Sequence, residues 1–113
     1  MGHQLDVWEK YLKERDRTEK LMPEFWAAKD GLTAEVYKEG ALSTKVKRLM
    51  GLVGGIRASC EVCIVGQTQL AIAAGATNEE IFEAIGVATA MSGTPGLAEA
   101  GKVMDLLHEL GRI

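Results

Sequence analysis

The sequence predicts an all-α fold, an antiparallel bundle of about six helices. Three observations predict it: apolar residues recur at helical spacing in six successive segments, helix caps and stops separate those segments, and no segment alternates like a strand. The 113 residues, 47% hydrophobic and 26% charged, suit one soluble globular domain. A chain this short leaves apolar surface that self-association would help bury. Residues 1–40 hold the N-terminal helices of the single 1–113 domain, and residues 41–113 its core.

Leu5, Trp8 and Leu12 mark an amphipathic first helix, with Glu9 and Lys13 as an i,i+4 pair in a charged run reaching Lys20. Pro23 suits the first turn of a second helix carrying Phe25, Trp26, Val36 and Tyr37, with Asp30-Gly31 as a candidate break and Gly40 as its end. Ser43 is the expected cap of a third, with Val46, Leu49, Met50, Val53 and Ile56 on one face and Lys45, Lys47 and Arg48 on a solvated one. Its Gly54-Gly55 pair predicts a weakened or closely packed end. A fourth helix starts at the cysteines, turns Ile64, Leu70, Ala71 and Ala74 inward and stops at Gly75.

Thr77 and Glu80 have capping-box spacing at the start of a fifth helix, which runs through Ile81, Ala84, Ile85, Ala88 and Met91. Thr94 as cap and Pro95 at the first helical position open the sixth, with Leu97, Gly101, Met104 and Leu107 toward the core. Met50, Met91 and Met104 read as core filler, and Trp8, Phe25 and Trp26 as packing residues or, alternatively, pocket walls. His108 near the last helix end complements its dipole. The many Gly and Ala residues of the last three helices lower helix propensity but let backbones approach closely.

A net charge of −3 gives no basic face for nucleic acid. No run reaches the roughly 18–20 apolar residues of a membrane span, and the first residues lack the charged-then-apolar layout of a signal peptide. The expected location is therefore cytoplasmic, where a permanent structural disulfide is unusual.

Against that background the chain's only two cysteines, Cys60 and Cys63, stand at CxxC spacing at a helix start. Positions i and i+3 share a helix face, near enough for a disulfide without refolding the bundle. Unpaired amides and the positive dipole end stabilise a thiolate there. Arg57 would add favourable charge, whereas Glu61 would oppose it. Three readings stand: a cycling dithiol, part of a metal site, or two small buried residues. A zinc site within one chain lacks ligands, since no second CxxC exists and neither His3 nor His108 has ligand spacing to the pair. Position at the helix terminus favours Cys60 as the exposed sulfur and Cys63 as the inner one.

The stretch LSTKVKRLMGLVGGIRASCEVCIVGQTQLAIAAGATNEEIFEAIGVATAMSG, residues 42–93, resembles the core of the carboxymuconolactone decarboxylase superfamily. Its CxxC resembles the alkylhydroperoxidase D branch in particular. The resemblance implies an all-helical subunit forming a homotrimer or homohexamer. It also implies a catalytic Cys60–Cys63 pair that reduces a peroxide or a protein or small-molecule disulfide and is reset by an external dithiol, with no cofactor or metal. Superfamily decarboxylases lack this dithiol, which argues against lactone chemistry.

Two positions depart from the redox branch. Its motif runs CxxCxxxH, but Gln67 stands where the histidine would, and the glutamate of its KxKEL stretch is replaced by Arg48 in KVKRL. Those residues form the branch's proton relay. Gln67 can hydrogen-bond without shuttling protons, and Arg48 stays protonated. If Arg48 points at the pair, a fixed positive charge there lowers a thiol pKa in place of base catalysis. The expected function is a thiol-dependent oxidoreductase with Arg48, Gln67 and Arg57 in support. The alternatives are a catalytically degenerate oligomeric binding or redox-responsive module and, ranked last, small-molecule lactone chemistry.

Overall fold

The computed structural model describes residues 2–113, and among them there is no strand. Six helices follow one another: α1 (His3–Leu21), α2 (Pro23–Tyr37), α3 (Thr44–Arg57), α4 (Glu61–Ala73), α5 (Asn78–Ser92) and α6 (Thr94–Glu109). Local chemistry sets most of their ends. Ser43 Oγ accepts the Val46 N–H at 3.1 Å ahead of α3. Thr77 and Glu80 form a reciprocal capping box, the Glu80 N–H donating to Thr77 Oγ1 at 3.1 Å and the Thr77 N–H to Glu80 Oε1 at 2.9 Å. Gly75 ends α4 at φ +97°, a conformation that needs no Cβ.

Helices α3 and α4 run antiparallel at very close range. A Cβ built on Gly51 would meet the Gln67 side chain, and one built on Gly55 would stand 3.1 Å from Cys63 Cβ. As the index rises by four on α3 it falls by four on α4, the signature of opposed directions. The core collects Leu52 and Ile56 of α3, Ile64 and Ala71 of α4, Ile81 and Ala88 of α5, and Val103 and Leu107 of α6, all essentially inaccessible to water. Helix α1 lies against α4 and α6, and α2 packs on α1 and α3.

Several expectations are corrected. Asp30-Gly31 does not break α2, because Asp30 accepts from Arg15 of α1 at 2.6 Å and the helix continues to Tyr37. Thr94 lies inside α6 rather than capping it; Gly93, at φ +66°, turns the chain instead. Glu9 and Lys13 form no ion pair among the described residues, and the α1 pair is Glu14–Arg17. The buried face of α6 is Gly96, Ala100, Val103, Leu106 and Leu107, so Leu97, Gly101 and Met104 are exposed, as are Leu70, Met50 and Met91. On wide apolar helices two neighbouring arcs fit the same spacing, and the packing of neighbouring helices selects between them. The basic face of α3 is not a solvated one: Lys45 pairs with Glu80 at 2.8 Å and Lys47 Nζ donates to the Lys38 carbonyl at 2.7 Å.

Candidate functional site

The turn between α3 and α4 builds the cysteine site. Ser59 takes a left-handed conformation, φ +54°, which brings the Ser59 N–H to the Ile56 carbonyl and the Cys60 N–H to the Gly55 carbonyl, at 3.1 and 3.0 Å. This closes α3 with the two bonds of a Schellman motif and delivers Cys60 as the N-cap of α4. Cys60 Sγ accepts the Cys63 N–H at 3.2 Å. The two sulfurs are joined in a disulfide with a Cα–Cα distance of 5.1 Å, inside the ordinary range for the bond.

Cys63 is exposed and Cys60 half-buried, the reverse of the expectation from position. An N-cap side chain folds back over the first helical turn to reach its donor, which draws Cys60 Sγ inward. Cys63 faces outward into a cavity of about 470 Å³ between α1, α2, α3 and α4. Trp8 and Tyr11 of α1, Tyr37 of α2 and Leu70 of α4 form its apolar and aromatic walls. Trp8 reaches its place because residue 66 is glycine: a Cβ there would stand 2.6 Å from the indole ring.

A three-residue cluster stands in the same wall. The Arg48 guanidinium lies over the Tyr37 ring, its Nη1 donates to Gln67 Oε1 at 3.3 Å, and Gln67 Nε2 donates to the Tyr37 hydroxyl at 3.1 Å. Helices α2, α3 and α4 thus contribute one member each, all half-buried. Gly51 leaves the room that Gln67 occupies.

The sequence of this bundle matches the profile of the carboxymuconolactone decarboxylase family over residues 23–105. The chain belongs to this family. Among curated relatives, a protein encoded in the cox locus of Paracoccus denitrificans is 37% identical over 79 residues, 70% of this chain and 71% of that one. A Cupriavidus necator protein is 27% identical over 88 residues, 78% of each chain. Among solved structures, an apo carboxymuconolactone decarboxylase family protein of Legionella pneumophila superposes with a TM-score of 0.90 at 27% identity, covering 94% of this chain and 95% of that one. A Thermotoga maritima protein gives 0.79 at 30% identity, covering 92% and 95%. A second crystal structure of that Thermotoga protein, with a suggested involvement in antioxidative response, gives 0.72 at 26% identity, covering 95% and 97%.

In this family member the structure brings together four of the five residues singled out from sequence. Cys63, Arg48 and Gln67 share the cavity and Cys60 is bonded to Cys63. Arg57 is separate: it is exposed in the last turn of α3, where a cation complements the helix dipole, and its side chain has no hydrogen bond or ion pair among the described residues. Glu61 faces His3, at 3.4 Å, rather than standing alone beside the sulfurs. Among the described residues no group of three or more His, Cys, Asp or Glu is arranged to hold a metal. Sequence reasoning missed Tyr37 as a site residue. Trp8 is a cavity wall, Trp26 is buried with Arg15 and Lys29 near its ring at 4.8 and 5.2 Å, and Phe25 meets Trp26 edge-on.

Proposed function

We propose that the chain is a thiol-dependent oxidoreductase of the alkylhydroperoxidase D type, cycling Cys60 and Cys63 between dithiol and disulfide. The observation that carries this reading is the bonded pair at the start of α4 with one sulfur, Cys63, opening into a cavity of small-molecule size. A suggested antioxidative involvement of the Thermotoga relative points the same way.

The exposed Cys63 thiolate attacks first. With a disulfide it forms a mixed disulfide and expels one thiolate; the Cys60 thiolate then attacks Cys63 Sγ and expels the second. With a hydroperoxide, one oxygen passes to Cys63 as a sulfenic acid while the alkoxide takes a proton and leaves as the alcohol; Cys60 then closes the disulfide and releases water. The Cys63 N–H and the N-terminus of α4 stabilise negative charge on Cys60, which fits it to resolve the intermediate and to leave when an external dithiol resets the pair. The branch's histidine and glutamate relay is replaced. Gln67 orients, Arg48 supplies fixed positive charge, and the Tyr37 hydroxyl, which accepts from Gln67, retains a proton to donate.

The protein acts as an oligomer in this reading. Helices α3 and α5 leave Val46, Met50 and Val87 exposed along an apolar groove, surface that a second copy would cover, and light scattering at micromolar concentration measures the state.

The decisive test is a redox titration of the full chain in dithiol buffers, followed by alkylation and mass measurement, with single cysteine variants. A reversible two-electron couple is expected, and Cys60→Ser should trap a mixed disulfide on Cys63 while Cys63→Ser reacts slowly. Reduced protein reacting with peroxides and disulfides no faster than the unfolded chain would instead assign a binding module that has lost catalysis with its relay.

A further inference from the structure

The cavity beside Cys63 is more positive than the chain as a whole. Arg15, Lys29 and Arg48 line it against one carboxylate, Asp30, although the net charge of the protein is −3. Asp30 is already engaged by Arg15 at 2.6 Å. Neither Arg48 nor Lys29 pairs with a carboxylate among the described residues.

Arg48 is also held in place. The Tyr37 ring beneath it and Gln67 Oε1 beside it fix the guanidinium without neutralising it, since one is a ring face and the other a neutral amide. A fixed, uncompensated cation beside a partly enclosed apolar space concentrates anions there. The space itself, about 470 Å³ with Trp8 and Tyr37 in its walls, is far larger than hydrogen peroxide needs and suits a small organic molecule.

We propose that the substrate reaching Cys63 is a small organic anion with an aromatic or other apolar body, its carboxylate paired with Arg48 and its approach steered by the more exposed Lys29. This rests on the dithiol reading above. The anion carries the bond that Cys63 attacks, S–S or O–O, and the electron and proton balance is that already given for each.

The test compares reagents that differ in charge and share chemistry, acting on the reduced full-length protein at low salt. One pair is dithiobis-nitrobenzoate, which is anionic, against neutral dithiodipyridine; the other is carboxy-cumene hydroperoxide against cumene hydroperoxide. Each rate is divided by that of the same chain unfolded, and the anionic-to-neutral ratio then cancels the thiolate fraction, because both reagents meet the same sulfur. A ratio of about tenfold is expected, of the order electrostatic focusing gives. It should fall toward one in Arg48→Met, fall less in Lys29→Met and recover in part in Arg48→Lys. Preference within the disulfide pair alone, or the peroxide pair alone, supports the proposal and identifies the bond the anion carries.

A wild-type ratio near one, or a ratio unchanged by both Arg48→Met and Lys29→Met, overturns the inference and leaves the dithiol reading standing. If no reagent outruns its reaction with the unfolded chain, the dithiol reading fails and this inference fails with it. Lys29 is exposed, so if Arg48→Met does not fold, a ratio unchanged in Lys29→Met alone overturns the inference.

Discussion

The guanidinium carbon of Arg48 stands 3.6 Å from the centre of the Tyr37 ring, and Gln67 links the two by bonding one side chain through its oxygen and the other through its nitrogen. A neutral amide serves a donor and an acceptor at once without taking up or releasing a proton, its oxygen receiving the Arg48 N–H and its nitrogen donating to the Tyr37 hydroxyl. Tyr37→Phe keeps the ring under Arg48 but removes the acceptor of Gln67 Nε2. Stability should fall by about 1 kcal/mol. A double-mutant cycle with Gln67→Met, followed by denaturant unfolding, should give a coupling of about 0.5–1.5 kcal/mol. A coupling of zero would mean that the bond is absent in solution.

Gly66 is the residue on which the Trp8 wall depends. A Cβ there would stand 2.6 Å from a rigid indole, so Gly66→Ala must push the ring away from α4. Overpacking of this kind costs roughly 1–3 kcal/mol. In a Trp26→Phe background Trp8 is the remaining tryptophan, and its emission should shift to the red as it gains water. Gly54 provides the contrast, because its Cβ would meet open space. Gly54→Ala in the same helical context should stabilise the protein by about 0.5–1 kcal/mol.

What was legible in the sequence was local. The Ser43 cap, the Thr77–Glu80 box and the Gly75 stop each depend on residues within a few positions, and all three hold. The CxxC helix start was equally readable, because an N-cap and the first turn behind it are set by four consecutive residues. The choice of buried face was not. On α6 the arcs through Leu97 and Met104 and through Ala100 and Val103 are both apolar, and only the packing of neighbouring helices selects the second. The cavity was illegible for a related reason: Trp8, Tyr37 and Cys63 meet through the packing of α1 and α2 on the α3–α4 pair, and no local spacing records that. Which sulfur lies inward is not legible from distance to the helix end, because a capping side chain turns back on its own helix.

Ser59 holds a backbone conformation that L-residues resist, φ +54°, at the turn that delivers Cys60. Glycine adopts it without the Cβ conflict, and the two hydrogen bonds closing α3 are backbone bonds that the substitution leaves intact. Ser59→Gly should therefore raise the thermal midpoint slightly, by the equivalent of about 0.5–1 kcal/mol, without changing the rate of disulfide reduction. A changed rate would show that the Ser59 side chain contributes to the chemistry as well as to the turn.

Glu109, the last residue of α6, closes the N-terminus of α1. Its Oε2 accepts the Gln4 N–H and its Oε1 the Leu5 N–H, each at 3.0 Å, so a remote carboxylate serves a helix end that has no side-chain cap of its own. Glu109→Ala should cost about 1–2 kcal/mol. Because α1 carries Trp8 and Tyr11 to the cavity, hydrogen exchange should quicken across its first two turns and cysteine accessibility should rise with it. Glu109→Gln keeps one acceptor and loses the charge, and should fall between the two. Unchanged exchange in the alanine variant would separate α1 docking from this contact.

The start of α5 responds to acid through a single carboxylate. Glu80 Oε2 pairs with Lys45 of α3 at 2.8 Å while Oε1 accepts the Thr77 N–H, and these partners, Lys45 first, hold the Glu80 carboxyl below its ordinary value. A carboxyl depressed in the folded state contributes stability that is fully present above its unfolded pKa. That contribution is lost as pH falls through the lower, folded value. The sign predicts an acid-side loss of stability centred below the usual glutamate range, and no effect of this group near neutrality. Lys45→Met removes the leading cause, so the Glu80 titration followed by carboxyl-carbon NMR should move upward toward the ordinary value. The Thr77 amide bond should keep it from moving all the way. A titration that stays put would show that the capping box, rather than the bridge between α3 and α5, controls this group.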